Sequence, residues 1–382
     1  MIKRIVHYLL LAAILLGTPF VSCCLGGYDE ILEGLKAFPP RTEDWGMRHD
    51  FLWNFKRPFH WGFFIGFSLF TLLCLYPFLK RGMAAFYASL RNRSRGKGEA
   101  FAFPWWGWIG IGIMLGGWYL SWNRFEWFRP YQVMMSYMPV WLGFILLMNA
   151  LCVKRSGRSP MTDYPWAYLA TFPASSLFWW FFEYLNRYVW NWYYVGISEL
   201  GAFEYSAYAT ICFASVLPAV TAVAAWLHTF PAFDDSVYSG MARVNLRRPF
   251  WCLFLFVLSA VGLTGIVFFP ACAYPLLWIS PVTVFLLVQF LLRQESVLDT
   301  LSCGNWSIFF RFAIASLICG FCWETWNYHA LAKWVYAVPY VQRFHVWEMP
   351  LVGFAGYLPF GVECAAVTAW ISPFLVDLKK NR

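Results

Sequence analysis

The chain has 382 residues, of which 60% are apolar and only 13% charged, and Phe, Trp and Tyr together reach 22%. That balance excludes a soluble globular domain and fits a protein with large areas in a bilayer and at its edges. The formal charge of +9 does not mark a nucleic-acid binder, because the basic residues are scattered through short segments between apolar runs.

A helix that crosses the hydrocarbon core needs roughly 20 apolar residues. Ten runs meet that length, near 5–22, 60–79, 105–122, 136–153, 167–186, 205–228, 250–269, 271–292, 308–327 and 349–374. With the N-terminus inside, the inner segments hold most of the Lys and Arg, among them Lys3, Arg4, Lys80, Arg81, Arg91, Arg247, Arg248 and Lys379. The positive-inside bias therefore predicts a multi-pass membrane protein with both termini cytoplasmic.

The expected fold class is an all-α polytopic membrane protein of about ten transmembrane helices, with two parallel four-helix repeats preceded by two extra helices. Residues 1–104 form an N-terminal anchor region of two helices, an outer loop at 28–58 and a basic inner linker around Arg91–Lys97. Residues 105–228 form repeat 1, 229–249 an inner linker, 250–374 repeat 2 and 375–382 a basic inner tail. The first run has a second reading. Lys3-Arg4, the apolar stretch and Ser22-Cys23 resemble a lipoprotein-type secretory signal, although Phe20 suits such a cleavage site poorly. The near-spanning length of the run favours an uncleaved anchor.

The eleven cysteines are spread along the helices and do not form a disulfide framework. Cys319-Gly-Phe-Cys322 has redox spacing but lies in an apolar helix, where two small thiols filling a helix contact are the better reading. Gly62-x-x-x-Gly66 and Gly112-x-x-x-Gly116 are expected to be close-packing sites between helices.

The repeat is visible in the residues. Phe182-Glu183-Tyr184-Leu185-Asn186 is echoed by Trp323-Glu324-Thr325-Trp326-Asn327, with the two glutamates 141 positions apart. Each is followed by an aromatic stretch, Asn191-Trp192-Tyr193-Tyr194 or Lys333-Trp334-Val335-Tyr336. Glu204 precedes Trp226, and Glu348 precedes Trp370, both by 22 positions, while Pro139 and Pro281 lie 142 apart in similar contexts. With four spans each, both copies start on the same side, so the repeat is parallel and its axis runs along the membrane normal.

Each Glu-x-x-Asn lies near the outer end of its third helix, and residues three apart share a helix face. An ionised carboxylate in hydrocarbon is expensive, so Glu183, Glu324 and Glu363 each need a role. One role is catalytic: an apolar cavity favours the neutral carboxyl, which at neutral pH is a general acid. The other is structural, with each Glu–Asn pair satisfying backbone groups where the helix breaks. Glu363 has no counterpart, since it aligns with Ala219, which makes it the asymmetric candidate acid. Asn186 and Asn327, with Trp192, Trp323, Trp326, Trp334, His329, Glu204 and Glu348, complete the candidate ligand-binding set. Aromatic faces stabilise cations in a water-poor site, and the same residues also make up an interfacial belt.

No metal is expected, because only His329 and His345 of the six histidines fall near the acids and a Glu324, His329, Glu348 site would rest on one copy alone. No cofactor is expected either, since nucleotide, nucleophile-elbow and kinase signatures are absent from the sequence.

The Trp-Glu-Thr-Trp-Asn-Tyr, Lys-Trp-Val-Tyr and Trp-Glu-Met-Pro-Leu-Val-Gly-Phe segments, with Phe-Glu-Tyr-Leu-Asn-Arg, resemble a family of uncharacterised bacterial multi-span membrane proteins. More remotely, the layout is similar to lycopene cyclase domains and carotenoid hydratases. That resemblance implies acid chemistry on a polyene, with Glu183 and Glu324 at the acid positions and Trp192 and Trp334 at the Trp-x-Tyr positions. The cyclase pattern has paired glutamates after Pro, whereas Pro350 here is followed by Leu-Val-Gly-Phe.

The functional expectation is therefore an integral membrane protein with a pseudo-symmetric Glu/Asn site, binding or chemically altering a lipid-soluble isoprenoid or polyene. Its partners would be membrane lipids and a hydrophobic small molecule, not nucleic acid. The alternative is a non-enzymatic lipid or small-solute carrier, or the membrane anchor of a complex.

Overall fold

A chain in hydrocarbon must satisfy its own backbone hydrogen bonds, which is why long apolar runs fold as helices. The computed structural model describes residues 2–38, 40, 57–92, 101–128, 131–132 and 137–376. Most of the 28–58 loop, the linker beyond Asn92 and the tail beyond Val376 lie outside the described residues. The elements begin with α1 (Ile2–Gly26), α2 (Asp29–Lys36), α3 (Trp61–Asn92), α4 (Trp105–Asn123), α5 (Tyr137–Ser156) and α6 (Pro165–Val189). They continue with β1 (Trp192–Val195), α7 (Ala202–Phe213), α8 (Val216–His228), α9 (Pro249–Phe268), α10 (Ser280–Leu291) and α11 (Ser307–Asn327). The last are β2 (Lys333–Tyr336), β3 (His345–Val346), β4 (Met349–Pro350) and α12 (Tyr357–Ile371).

Among the described residues, seven helices are long and apolar enough to cross a membrane, with α7 and α8 together making one of them. An eighth forms if Pro270–Trp278 and α10, bent by 52°, make one broken span. The chain is thus an all-α multi-pass membrane protein. Helices α4 and α6, of 19 and 25 residues, are long enough but carry many residues of low hydropathy, Trp and Gly in α4 and Trp, Tyr and Ser in α6. Large side chains such as Leu69, Phe70, Leu72 and Leu73 on α3 are exposed, as a lipid-facing surface requires.

Close helix packing occurs at other glycines than those expected. A Cβ at Gly66, Gly112 or Gly116 would meet nothing within 4 Å, and one at Gly62 would meet only the nearby His60 ring. Tight contacts lie instead between α11 and α12, where a Cβ on Gly361 would sit 2.2 Å from Phe312 O, and between α4 and α5, where one on Gly143 would sit 2.4 Å from Met114 N and one on Gly110 2.9 Å from Gly143 O. On α4 the crowded glycines are Gly107, Gly110 and Gly117, three and seven residues apart, so the four-residue motif marks none of the close contacts.

Helix α8 is the centre of the core. Twelve of its residues are buried, and its small side chains (Ala219, Ala222, Ala224, Ala225) let α5, α6, α11 and α12 approach it. The break between α7 and α8 is stitched by Ser175 of α6, whose hydroxyl donates to Phe213 O at 2.6 Å and accepts from Leu217 N at 3.1 Å. At the opposite end of the bundle, the fully buried Arg311 meets Asp235 at 3.1 Å, and His228 meets the same carboxylate at 3.3 Å. All eleven cysteines are free, and Cys319 is fully buried, as a packing role predicts.

The aromatic stretches after the two Glu-x-x-Asn elements form strands. β1 pairs antiparallel with β2 in the register Trp192↔Tyr336, Tyr193↔Val335, Tyr194↔Trp334 and Val195↔Lys333. Because β1 follows α6 and β2 follows α11, both helices deliver their C-terminal ends to this ribbon.

Candidate functional site

Each asparagine splices a helix end to the strand that follows. Asn186 accepts from the backbone N–H of Asn191 at 2.9 Å and of Trp192 at 3.3 Å, and donates to Trp192 O at 2.7 Å. Asn327 accepts from Trp334 N at 2.9 Å and donates to Trp334 O at 2.7 Å. An amide carries both donor and acceptor, so one side chain replaces the backbone partners lost where the helix stops.

With the strands fixed in this way, their alternation aims two side chains of each at the glutamate one helical turn earlier. Glu183 Oε1 accepts from Tyr194 Oη at 2.5 Å, Trp192 Nε1 at 2.9 Å and Trp179 Nε1 at 3.1 Å. Glu324 Oε1 accepts from Tyr336 Oη at 2.6 Å, Tyr357 Oη at 2.9 Å and Trp334 Nε1 at 3.3 Å. Both acids are buried, and Glu324 Oε2 is buried with no hydrogen-bond partner among the described residues. The copies differ in the third donor, a tryptophan from the same helix at Glu183 and a tyrosine from α12 at Glu324.

In front of these clusters lies a cavity of about 150 Å³. Its walls include the indoles of Trp179, Trp192, Trp278, Trp323, Trp326 and Trp334, and the phenols of Tyr137, Tyr194, Tyr205, Tyr208, Tyr336 and Tyr357. No Asp, Glu, Lys, Arg or His is among its lining residues. The glutamates therefore stand one layer behind the wall, and the tyrosine hydroxyls are what they present to the cavity.

Of the expected ligand-binding residues, Trp192, Trp323, Trp326, Trp334 and Asn327 line this space, and Asn186 supports the wall from behind. Three others, Glu204, Glu348 and His329, are elsewhere, and so is the candidate acid Glu363. Glu204 is exposed and accepts from Gly201 N at 3.0 Å as a helix cap. Glu348 pairs with Lys333. His329 is exposed, with its ring against Trp122 at 4.9 Å. Glu363 accepts from Val282 N at 3.2 Å, one of the first-turn N–H groups of α10 that have no partner within the helix. That contact gives Glu363 a capping geometry across the bent span.

The sequence reading passed over Tyr194, Tyr336, Tyr357 and Trp278. For the first two a signal existed: Trp-x-Tyr spacing in a strand places both rings on one face. Tyr357 is 33 residues from Glu324 and Trp278 lies in the bent segment, so no local pattern marked them. Arg187, one residue beyond Asn186, is buried and donates to Gly34 O and Ala37 O, closing the C-terminal end of α2, each at 3.2 Å. Among the described residues no group of three His, Cys, Asp or Glu side chains is placed to hold a metal ion.

No protein-family model, curated protein or solved structure matches this chain.

Proposed function

We propose that the protein holds a lipid-soluble, isoprenoid or polyene-like ligand in the aromatic cavity between two four-helix copies. Glu183 and Glu324 set the polar pole of that site through Tyr194, Tyr336 and Tyr357. In its enzymatic form the site acts by acid catalysis: the phenol that donates to the acid in the resting site turns to the ligand, and as its proton passes there the protonated carboxyl gives its own proton to the tyrosine oxygen. The observation that carries this reading is a cavity walled by indoles and phenols, free of charged side chains and backed by two buried acids. A lipid-soluble ligand loses little on entering such walls, whereas a charged one would lose its hydration without a counter-ion.

The same reading takes the chain as ten spans in a bacterial inner membrane, two of them preceding parallel copies at 105–228 and 250–374, with both termini cytoplasmic. The matched Glu–Trp–Tyr clusters and the pairing of β1 with β2 support two copies. The remote resemblance of the sequence layout to lycopene cyclase domains is what suggests the ligand class.

One observation favours a second reading. All three donors to each glutamate come from its own copy, as expected of acids that only lock their strands in place.

Native mass spectrometry of the protein purified in mild detergent, with lipid extraction, separates the two. A co-purifying isoprenoid or polyene that is lost in Tyr336→Phe/Tyr357→Phe, at unchanged thermal stability, is the outcome expected of the ligand site. Ordinary phospholipids alone, unchanged in the variant, would leave the lock reading or the carrier and anchor alternatives.

A further inference from the structure

The cavity has a polar feature that the acid clusters do not use. Tyr205 of α7 is 5% exposed and lines the cavity, and its hydroxyl is buried without a hydrogen-bond partner among the described residues. A buried O–H without an acceptor is costly, and an acceptor arriving with a ligand would satisfy it. The volume and the walls define the rest of that ligand. About 150 Å³ matches a cavity that holds a single benzene-sized ring, far less than a long folded chain needs. Indole faces on several sides favour a flat ring that can stack between them. The absence of charge on the lining requires the ring to be neutral. Along α7, Tyr208, Ala209 and Cys212 line the cavity yet are only half-buried, which leaves a side toward the lipid for a tail.

We propose that the cavity takes the ring headgroup of a neutral quinone or cyclic ketone on a hydrocarbon tail, with a ring carbonyl oxygen accepting from Tyr205 Oη. The ring lies between the tryptophan faces and the tail leaves along α7. This assignment rests on the ligand-site reading above and narrows it to an oxygen-bearing ring.

The test uses the full-length protein in phosphatidylcholine nanodiscs, with a benzoquinone carrying one ten-carbon prenyl tail as the probe and squalene as the oxygen-free isoprenoid. Saturable quenching of tryptophan fluorescence reports the quinone, and competition with a fluorescent polyene reports squalene. Saturable quinone binding is expected, about tenfold weaker in Tyr205→Phe, which removes one hydrogen bond of about 1.4 kcal/mol. Tyr119→Phe, exposed on α4 and away from the cavity, should bind as the wild type does. Equal affinity in Tyr205→Phe and wild type overturns the assignment. Saturable squalene binding without quinone binding overturns the ring assignment and leaves the ligand site standing. Saturation by neither probe removes both.

Discussion

Tyr193 and Val335 face each other across the β1–β2 ribbon, and they are 142 positions apart, the same separation as Pro139 and Pro281 in the first turns of α5 and α10. If the two halves are copies, each of these residues pairs with its own counterpart, which places the pair on the two-fold of the antiparallel ribbon. The flanking pairs agree, since Trp192↔Tyr336 becomes Trp334↔Tyr194 under the same exchange.

Residues opposed in an antiparallel pair have Cα atoms about 4.5–5.5 Å apart, within the range that a disulfide spans. Tyr193→Cys/Val335→Cys should therefore crosslink on mild oxidation in a variant without the exposed Cys24, Cys74, Cys272 and Cys303. With a protease site inserted at Gly240, the cut halves should stay joined on a non-reducing gel. Halves that separate would reject the register.

Gly143→Ala should destabilise the protein by about 1–3 kcal/mol, because the new methyl meets backbone atoms that cannot turn aside. Gly112→Ala should be neutral or stabilising by up to about 1 kcal/mol, since its Cβ has open space and helix propensity improves. Thermal unfolding in detergent distinguishes the two. Equal shifts would place the α4–α5 contact elsewhere.

Glu363→Ala should lower stability by about 1–3 kcal/mol by leaving the Val282 N–H without its acceptor, and Glu363→Gln should restore most of the loss. Neither should alter ligand retention, because Glu363 does not line the cavity. Loss of ligand in Glu363→Gln at unchanged stability would return Glu363 to the chemistry.

Asp235 lies in the linker, outside the spans. Burial alone would raise its carboxyl, but the His228 hydrogen bond and the nearby Arg311 charge outweigh that and hold it well below the usual range. A depressed folded value stabilises above the unfolded value, about pH 3.9, and that stability is lost as the pH falls through the folded value. Asp235→Asn should therefore cost about 3 kcal/mol at pH 7 by leaving Arg311 buried without a carboxylate. The gap to wild type should narrow as the pH falls below about 4. A gap independent of pH would mean that the carboxylate charge is not what matters.

Membrane class, the long apolar helices and the two Glu-x-x-Asn elements were legible in the residues alone, while the number of spans was not. Hydropathy is a property of consecutive residues, and residues three apart share a helix face whatever surrounds them. What those acids touch came from the packing of distant segments. Tyr357 reaches Glu324 from 33 residues away, Val282 reaches Glu363 from 81, and β1 finds β2 more than a hundred residues later. That packing also decided which glycines let backbones meet, since Gly110 and Gly112 lie in the same helix and only the one facing α5 is crowded. The reason is physical: a hydrogen-bond partner or a packing contact is fixed by how helices dock, and docking is set by shape across elements that no local period records.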